Sequence, residues 1–136
     1  MSDTTQPTPA KVPAEYLDLL ERPVLASLAT TGPKGQPQVN PMWFEWDGQR
    51  VRFTHTSYRQ KYRNLQRDPR AAISIYDPEN PYRYLELRGV VEEIVPDPTG
   101  SFYQQLSRRY GGDGAAPADA EQRVVLVFRP DSFTKQ

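Results

Sequence analysis

Asp47-Gly48 stands between two runs in which apolar and polar residues alternate, and no other stretch constrains the fold as strongly. A tight turn between antiparallel strands needs backbone that few residues adopt, and Asp-Gly is a leading short-range signal for one. Downstream, Val51 and Phe53 alternate with Arg50, Arg52 and Thr54, the period of a half-buried strand. Upstream, QVNPMWFEW (38–46) reads as its partner. Further strands follow the same logic: VLASLAT (24–30), AAISIY (71–76), YLELRGVVEEIV (84–95) with a bulge or bend at Gly89, and VVLVF (124–128), apolar enough to be buried on both faces. Helical spacing is confined to short pieces. One opens at Pro13 and ends by Arg22, one covers RQKYRNLQRDPR (59–70) up to the Asp68-Pro69 breaker, and one spans Thr99 to Tyr110 before Gly111-Gly112. DPENPYR (77–83) reads as a loop and GDGAAPADAEQ (112–122) as a mobile loop.

About six strands with no βαβ rhythm call for an antiparallel sheet closed, or nearly closed, on itself, since closure is the economical way to satisfy strand edges. The expected fold is mainly β with short helices. Residues 1–12, polar and proline-punctuated, read as a disordered lead-in, and 13–136 as one domain. Nothing in that lead-in resembles a signal peptide and no apolar run is long enough to span a bilayer, so a cytoplasmic protein is expected.

Several chemistries are excluded. There is no cysteine, hence no thiolate metal site or cysteine nucleophile, and the single histidine, His55, leaves a triad or a zinc site short of members. Neither a P-loop nor a dinucleotide-binding glycine motif is present. If the chain is an enzyme, a cofactor carries its chemistry and no catalytic side chain is expected.

The charge distribution says where such a cofactor would sit. Basic and acidic residues balance at 17 each, which argues against nucleic acid or anionic membrane as partner. Between Arg50 and Arg70, however, lie seven basic residues and one acid, Asp68. Within that stretch a strand ends at Thr54, hydroxyls follow at Thr56 and Ser57, and Arg59 and Lys61 open a helix. Helix-start N–H groups, hydroxyls and two cations suit a phosphate, arginine as a bidentate fork and lysine as a point charge. On charge alone, a solvated helix face is an equal reading. His55 by itself reads as a hydrogen-bonding residue, and Trp43, Phe44 and Trp46 as core or interface packing. Pro41 within a strand marks an edge or bulge, where backbone groups are free to meet a planar ring.

Taken together, LASLATTGPKGQPQVNPMWFEWDG, VRFTHTSYRQKYRNLQRDPRAAISI, NPYRYLELRGVVEE, the YGG after the last helix and VVLVFRPDSF resemble the pyridoxamine 5'-phosphate-oxidase-like split-barrel proteins. More narrowly they resemble the F420-dependent branch common in actinobacteria. The resemblance implies a six-stranded antiparallel split β-barrel of the FMN-binding type, forming a homodimer with cofactor sites at the subunit interface. It implies F420 as cofactor, with FMN as the alternative. It implies Arg59 and Lys61 on the cofactor phosphate, lined by Thr54, His55, Thr56 and Ser57. Val39, Asn40, Pro41 and Met42 would face the deazaflavin ring, and Tyr82 would reach it from the partner subunit. The implied activity is hydride transfer from reduced F420 to a small unsaturated molecule, of the enone, quinone or tetrapyrrole (biliverdin) class. A non-catalytic F420 carrier, or an FMN-binding protein, is the alternative. The match ends at FRPDSF without the Arg- and His-bearing segment that grips substrate in the pyridoxal-phosphate-forming oxidase, so vitamin B6 oxidation is not expected. Arg50, Arg52 and Arg63 are further cations that the anionic tail of F420 would suit.

Overall fold

Seven strands form one antiparallel sheet in a computed structural model that describes residues 8–136. They are β1 (Ala26–Thr31), β2 (Pro37–Met42), β3 (Phe44–Trp46), β4 (Val51–Thr56), β5 (Arg70–Asp77), β6 (Asn80–Pro96) and β7 (Arg123–Lys135). Their order across the sheet is β2-β1-β5-β6-β7-β4-β3. The two outermost strands, β2 and β3, are separated in sequence by Trp43 alone. Consecutive Cα atoms are about 3.8 Å apart, so the two edges must meet there, and the sheet has to curl round on itself. It closes at that corner and is bridged elsewhere by a helix, which makes it a split barrel.

One expected strand thus becomes two. The run 38–46 breaks at Trp43, whose ring stacks on Tyr110 with centroids 5.2 Å apart and planes 11° from parallel. The Tyr110 hydroxyl accepts a hydrogen bond from the Phe44 N–H (3.1 Å) and donates one to the Val24 carbonyl (2.7 Å), pinning the corner. The count is seven strands rather than six for this reason.

The Asp47-Gly48 hairpin is present, with Phe44 opposite Phe53 and Trp46 opposite Val51. The Asp47 carboxylate accepts from the N–H groups of Gln49 (2.8 Å) and Arg50 (2.6 Å), and Gly48 takes a φ of 101°. At Gly89 the β6–β7 register shifts, and a Cβ there would overlap the Arg129 carbonyl oxygen, so the bulge admits only glycine. The expected loop 77–83 shrinks to a turn at Pro78 and Glu79. Asp77 pairs with Asn80, and Tyr82 is a strand residue beside that turn.

Phe44, Phe53, Phe128, Leu28, Ile73 and Leu126 fill the barrel, and VVLVF is buried throughout. Helix α1 (Leu17–Glu21) adds Leu19 and Leu20 to this core. Of the expected lead-in, residues 1–7 lie outside the described residues. Ala10 donates to the Pro130 carbonyl (2.8 Å) and Val12 is buried in the core. Helix α2 (Gln60–Arg67) follows β4, and α3 (Ser101–Arg109) follows β6. The 112–122 connection, expected to be mobile, is tied to α3: Gly114 N–H donates to Ser107 Oγ (3.3 Å), and its carbonyl accepts from Gln104 (3.0 Å). Among the described residues no helix is long and apolar enough to cross a membrane.

Candidate functional site

Side chains alternate along β4, so Val51, Phe53 and His55 point into the barrel while Arg52, Thr54 and Thr56 lie on its other side, where both threonines are also buried. The same period acts on β2. Register with β1 sets Gln38, Asn40 and Met42 opposite the inward Thr30, Leu28 and Ala26, and puts Pro37, Val39 and Pro41 on the alternate side of the strand, Pro41 still bordering the cavity described next. Helix α2 spans the gap between these strands. Asn64, fully buried, donates from Nδ2 to Thr30 Oγ1 (3.1 Å) and Gln38 Oε1 (2.9 Å), and accepts from Gln60 (2.8 Å). The helix is covalently attached to β4 and stitched by hydrogen bonds to β1 and β2.

Between them lies a cavity of about 510 Å³. Asn40, Pro41 and Met42 form one wall, facing His55, Arg59 and Lys61, with Gln38 and Gln60 completing the lining. The first turn of α2 carries no acidic residue, and its N-cap Arg59 makes no side-chain cap. That leaves N–H groups available to an anion.

Lys61 decides what this cavity wants. Its side chain is buried, with the residue only 4% exposed, and its ammonium makes its described contact with Met42 Sδ at 3.3 Å. Among the described residues, neither Lys61 nor Arg59 has a carboxylate within 4.0 Å. Burial, helped by the nearby Arg59 charge, lowers the Lys61 pKa to about 8. His55 is buried beside it, and its Nε2 has no hydrogen-bond partner among the described residues. Burial first, then the charges of Lys61, Arg59 and Arg123, push its pKa down to about 3, so the imidazole is neutral at physiological pH. A buried ammonium without a counter-ion and an orphaned imidazole nitrogen are costly unless something else meets them. A phosphate-bearing group with further hydrogen-bonding atoms fits both.

A larger groove, about 690 Å³, lies on the outer face of β1, β5 and β6. Its two arginines are already paired, Arg70 with Asp68 (2.7 Å) and Arg88 with Glu86 (2.7 Å). Charge therefore singles out the smaller cavity.

The expected site residues divide. Asn40, Pro41, Met42, His55, Arg59 and Lys61 come together. Thr54 and Thr56 lie on the other side of β4, where Thr54 Oγ1 accepts from Arg123 (3.3 Å). Ser57 is in the turn, and its N–H is taken by the Gln122 carbonyl (2.9 Å). Val39 is 61% exposed on the outer face, and Tyr82 is 80% exposed beside the β5–β6 turn, neither of them lining this cavity. Gln38, Gln60 and Asn64 went unnoticed in the sequence. Two-residue spacing from Asn40, and the helix face shared with Lys61, would have found them.

Residues 12–136 match the family described as pyridoxamine 5'-phosphate oxidase. The chain belongs to that family. Among solved structures, an F420 reductase is 59% identical, with a TM-score of 0.89 over 92% of this chain and 100% of its own. The conserved hypothetical protein Rv2991 from Mycobacterium tuberculosis is 25% identical, with a TM-score of 0.73 over 98% of this chain and 89% of its own. General Stress Protein 26 from Bacillus anthracis str. Sterne shares the fold at 15% identity, with a TM-score of 0.68 over 89% of this chain and 90% of its own. No curated protein matches the sequence. The cavity bridged by α2 is thus set in a barrel of the pyridoxamine 5'-phosphate oxidase family, and the anion demand of Lys61 belongs to that setting.

Proposed function

We propose that the chain is an F420-dependent oxidoreductase acting on an unsaturated small molecule of the enone, quinone or tetrapyrrole class. The observation that carries this is the buried, unneutralised Lys61 beside Arg59 at the start of α2, in a chain 59% identical to an F420 reductase. Arg59 and Lys61 would hold the phosphate of the cofactor, and Asn40, Pro41 and Met42 its ring. When bound, F420 supplies two-electron chemistry by hydride transfer, for which the pocket need offer no nucleophile. The chain's own residues bind, orient and exclude water. Neutral His55 is suited to hold one hydrogen bond and not to act as an acid, given a pKa of about 3. Arg63, whose guanidinium reaches only the Tyr58 carbonyl and Gln60 Oε1 among the described residues, is the cation left for an anionic tail.

The proposal includes a second copy of the chain. Leu25, Val39, Tyr76 and Tyr82 are large apolar side chains exposed on or beside the outer face of β1, β2, β5 and β6, a surface suited to association. Tyr82 of one protomer would then approach the cavity of its partner.

FMN is the rival ligand, since a single phosphate already satisfies Arg59 and Lys61. Titration of purified protein with each cofactor, followed by fluorescence and absorption, separates them. The expected outcome is F420 binding at least about tenfold tighter than FMN. Nanomolar FMN affinity with no F420 binding overturns the choice. A screen of enones, quinones and tetrapyrroles with an F420-reducing partner enzyme then separates a reductase from a carrier, which would bind tightly and turn nothing over.

A further inference from the structure

The segment between α3 and β7 touches the back of the turn that carries Arg59. Arg59 is exposed at the N-cap of α2, and its guanidinium has no hydrogen-bond partner among the described residues, although it lies over the Tyr58 ring with Cζ 5.8 Å from the centroid. Tyr58 is itself half exposed, and its hydroxyl donates to Asp119 Oδ2 at 2.9 Å across 61 residues of sequence. Asp119 is gripped by Arg123, from Nε to Oδ1 at 3.0 Å and more loosely from NH2 to Oδ2 at 3.5 Å. Arg123 is fixed in turn: its NH1 donates to Thr54 Oγ1 (3.3 Å), and its Cζ stands 4.6 Å from the centroid of the Tyr103 ring on α3. Beside this chain of contacts, the Ser57 N–H donates to the Gln122 carbonyl (2.9 Å). A rigid base therefore runs from α3 and β7 through Asp119 to the ring beneath Arg59.

We infer that Tyr58 and Asp119 are positioning residues for the anion site, holding the Arg59 guanidinium beside the start of α2 through the Tyr58 ring. An arginine in solution samples many rotamers, and ordering it costs entropy at the moment of binding. A ring fixed at 5.8 Å from Cζ limits that search before the ligand arrives. The inference rests on the assignment of the cavity to a phosphate-bearing cofactor.

The test is Tyr58→Phe, which keeps the ring and deletes its tie to Asp119, with Asp119→Ala as a second way to cut the same tie. The measured quantities are the dissociation constant for F420 or FMN, whichever wild type binds more tightly, and the melting temperature. Each variant is expected to bind about fivefold to tenfold more weakly, a loss within the range of one ordinary net hydrogen bond. The melting temperature of Tyr58→Phe should move by no more than about 2 °C. In an Arg59→Ala background, with Lys61 intact, Tyr58→Phe should weaken binding no further, because the residue it positions is gone. Unchanged affinity in Tyr58→Phe, or the same loss recurring in the Arg59→Ala background, overturns the inference and leaves the cavity assignment standing. A wild type that binds neither cofactor overturns the cavity assignment itself, and the positioning role with it.

Discussion

Arg50 and Arg52 on one side of β4's end, and Arg59 and Lys61 on the other, belong to the same basic run yet meet opposite fates. Arg50 pairs with Glu92, which also holds Arg129 at 3.2 Å, and Arg52 pairs with Asp47. Both arginines line a polar surface groove whose charge is settled within the chain. Arg59 and Lys61 sit at the uncapped start of a helix, against a cavity, and Lys61 is nearly sealed from water with a thioether for company. The first pair asks nothing of the outside; in the second, Arg59 is open to water, while Lys61 stays poorly solvated and without a counter-charge from the described residues. A run of cations in sequence is thus weak information, whereas a buried cation without a carboxylate is strong.

The largest effect that would sharpen this contrast is in the Arg59→Ala/Lys61→Ala double variant. It should weaken cofactor binding about a hundredfold or more while leaving the chain folded, because it removes a desolvated charge as well as a ligand contact. Circular dichroism and cofactor titration check both halves, and unchanged affinity would break the comparison outright. Next comes pH. Lys61 must be protonated to hold an anion, and in the unliganded protein it loses its proton around pH 8. Affinity should therefore fall by about fivefold to tenfold between pH 7 and pH 9, and the fall should be much smaller in Lys61→Arg. The same shift has a stability sign. With its folded pKa below the ordinary 10.5, the unfolded chain binds more protons between about pH 8 and 10.5, so the unliganded protein should gain stability as pH rises through that window. For His55 the window lies between about 3 and 6.5, and stability should be lost as pH falls through it.

A smaller effect would come from making the first region resemble the second. Glu92→Gln leaves Arg50 and Arg129 without their shared carboxylate, and chemical denaturation should show a loss of about 1–2 kcal/mol. It should not create a cofactor site, since that groove has no helix start. Smallest of all, Arg52→Ala should change cofactor affinity by less than about twofold, as a cation already paired on the surface contributes little. A large loss there would put Arg52 at the ligand after all.

The strands were legible because alternation is local. Val51 and Phe53 against Arg52 and Thr54 needed only a period of two, and Gly89 only a knowledge of what bulges accept. The meeting of His55, Arg59 and Lys61 was legible because one strand end, one turn and one helix start bring them together within seven residues. What escaped was set from far away. The corner at Trp43 is made by Tyr110 near the end of α3, and the neutralisation of Arg50 by Glu92 across the sheet. The separation of Val39 from Asn40 follows from alternation, but which of them faces the cavity depends on register with β1, and that is fixed only when the sheet closes.

The prolines of β2 have a further consequence. Amides of successive residues along an antiparallel strand point to opposite sides, so residues 37, 39 and 41 present theirs the same way. Pro37 and Pro41 have no N–H, and on an edge strand a proline belongs where its amide would point away from the neighbour, here β1. Val39, whose side chain turns away from the cavity, then holds the single outward donor of that edge. A foreign strand laid alongside would find one amide where it needs three, which protects the open side of the barrel from unwanted sheet extension. A small planar guest, needing only one such donor, would not be turned away.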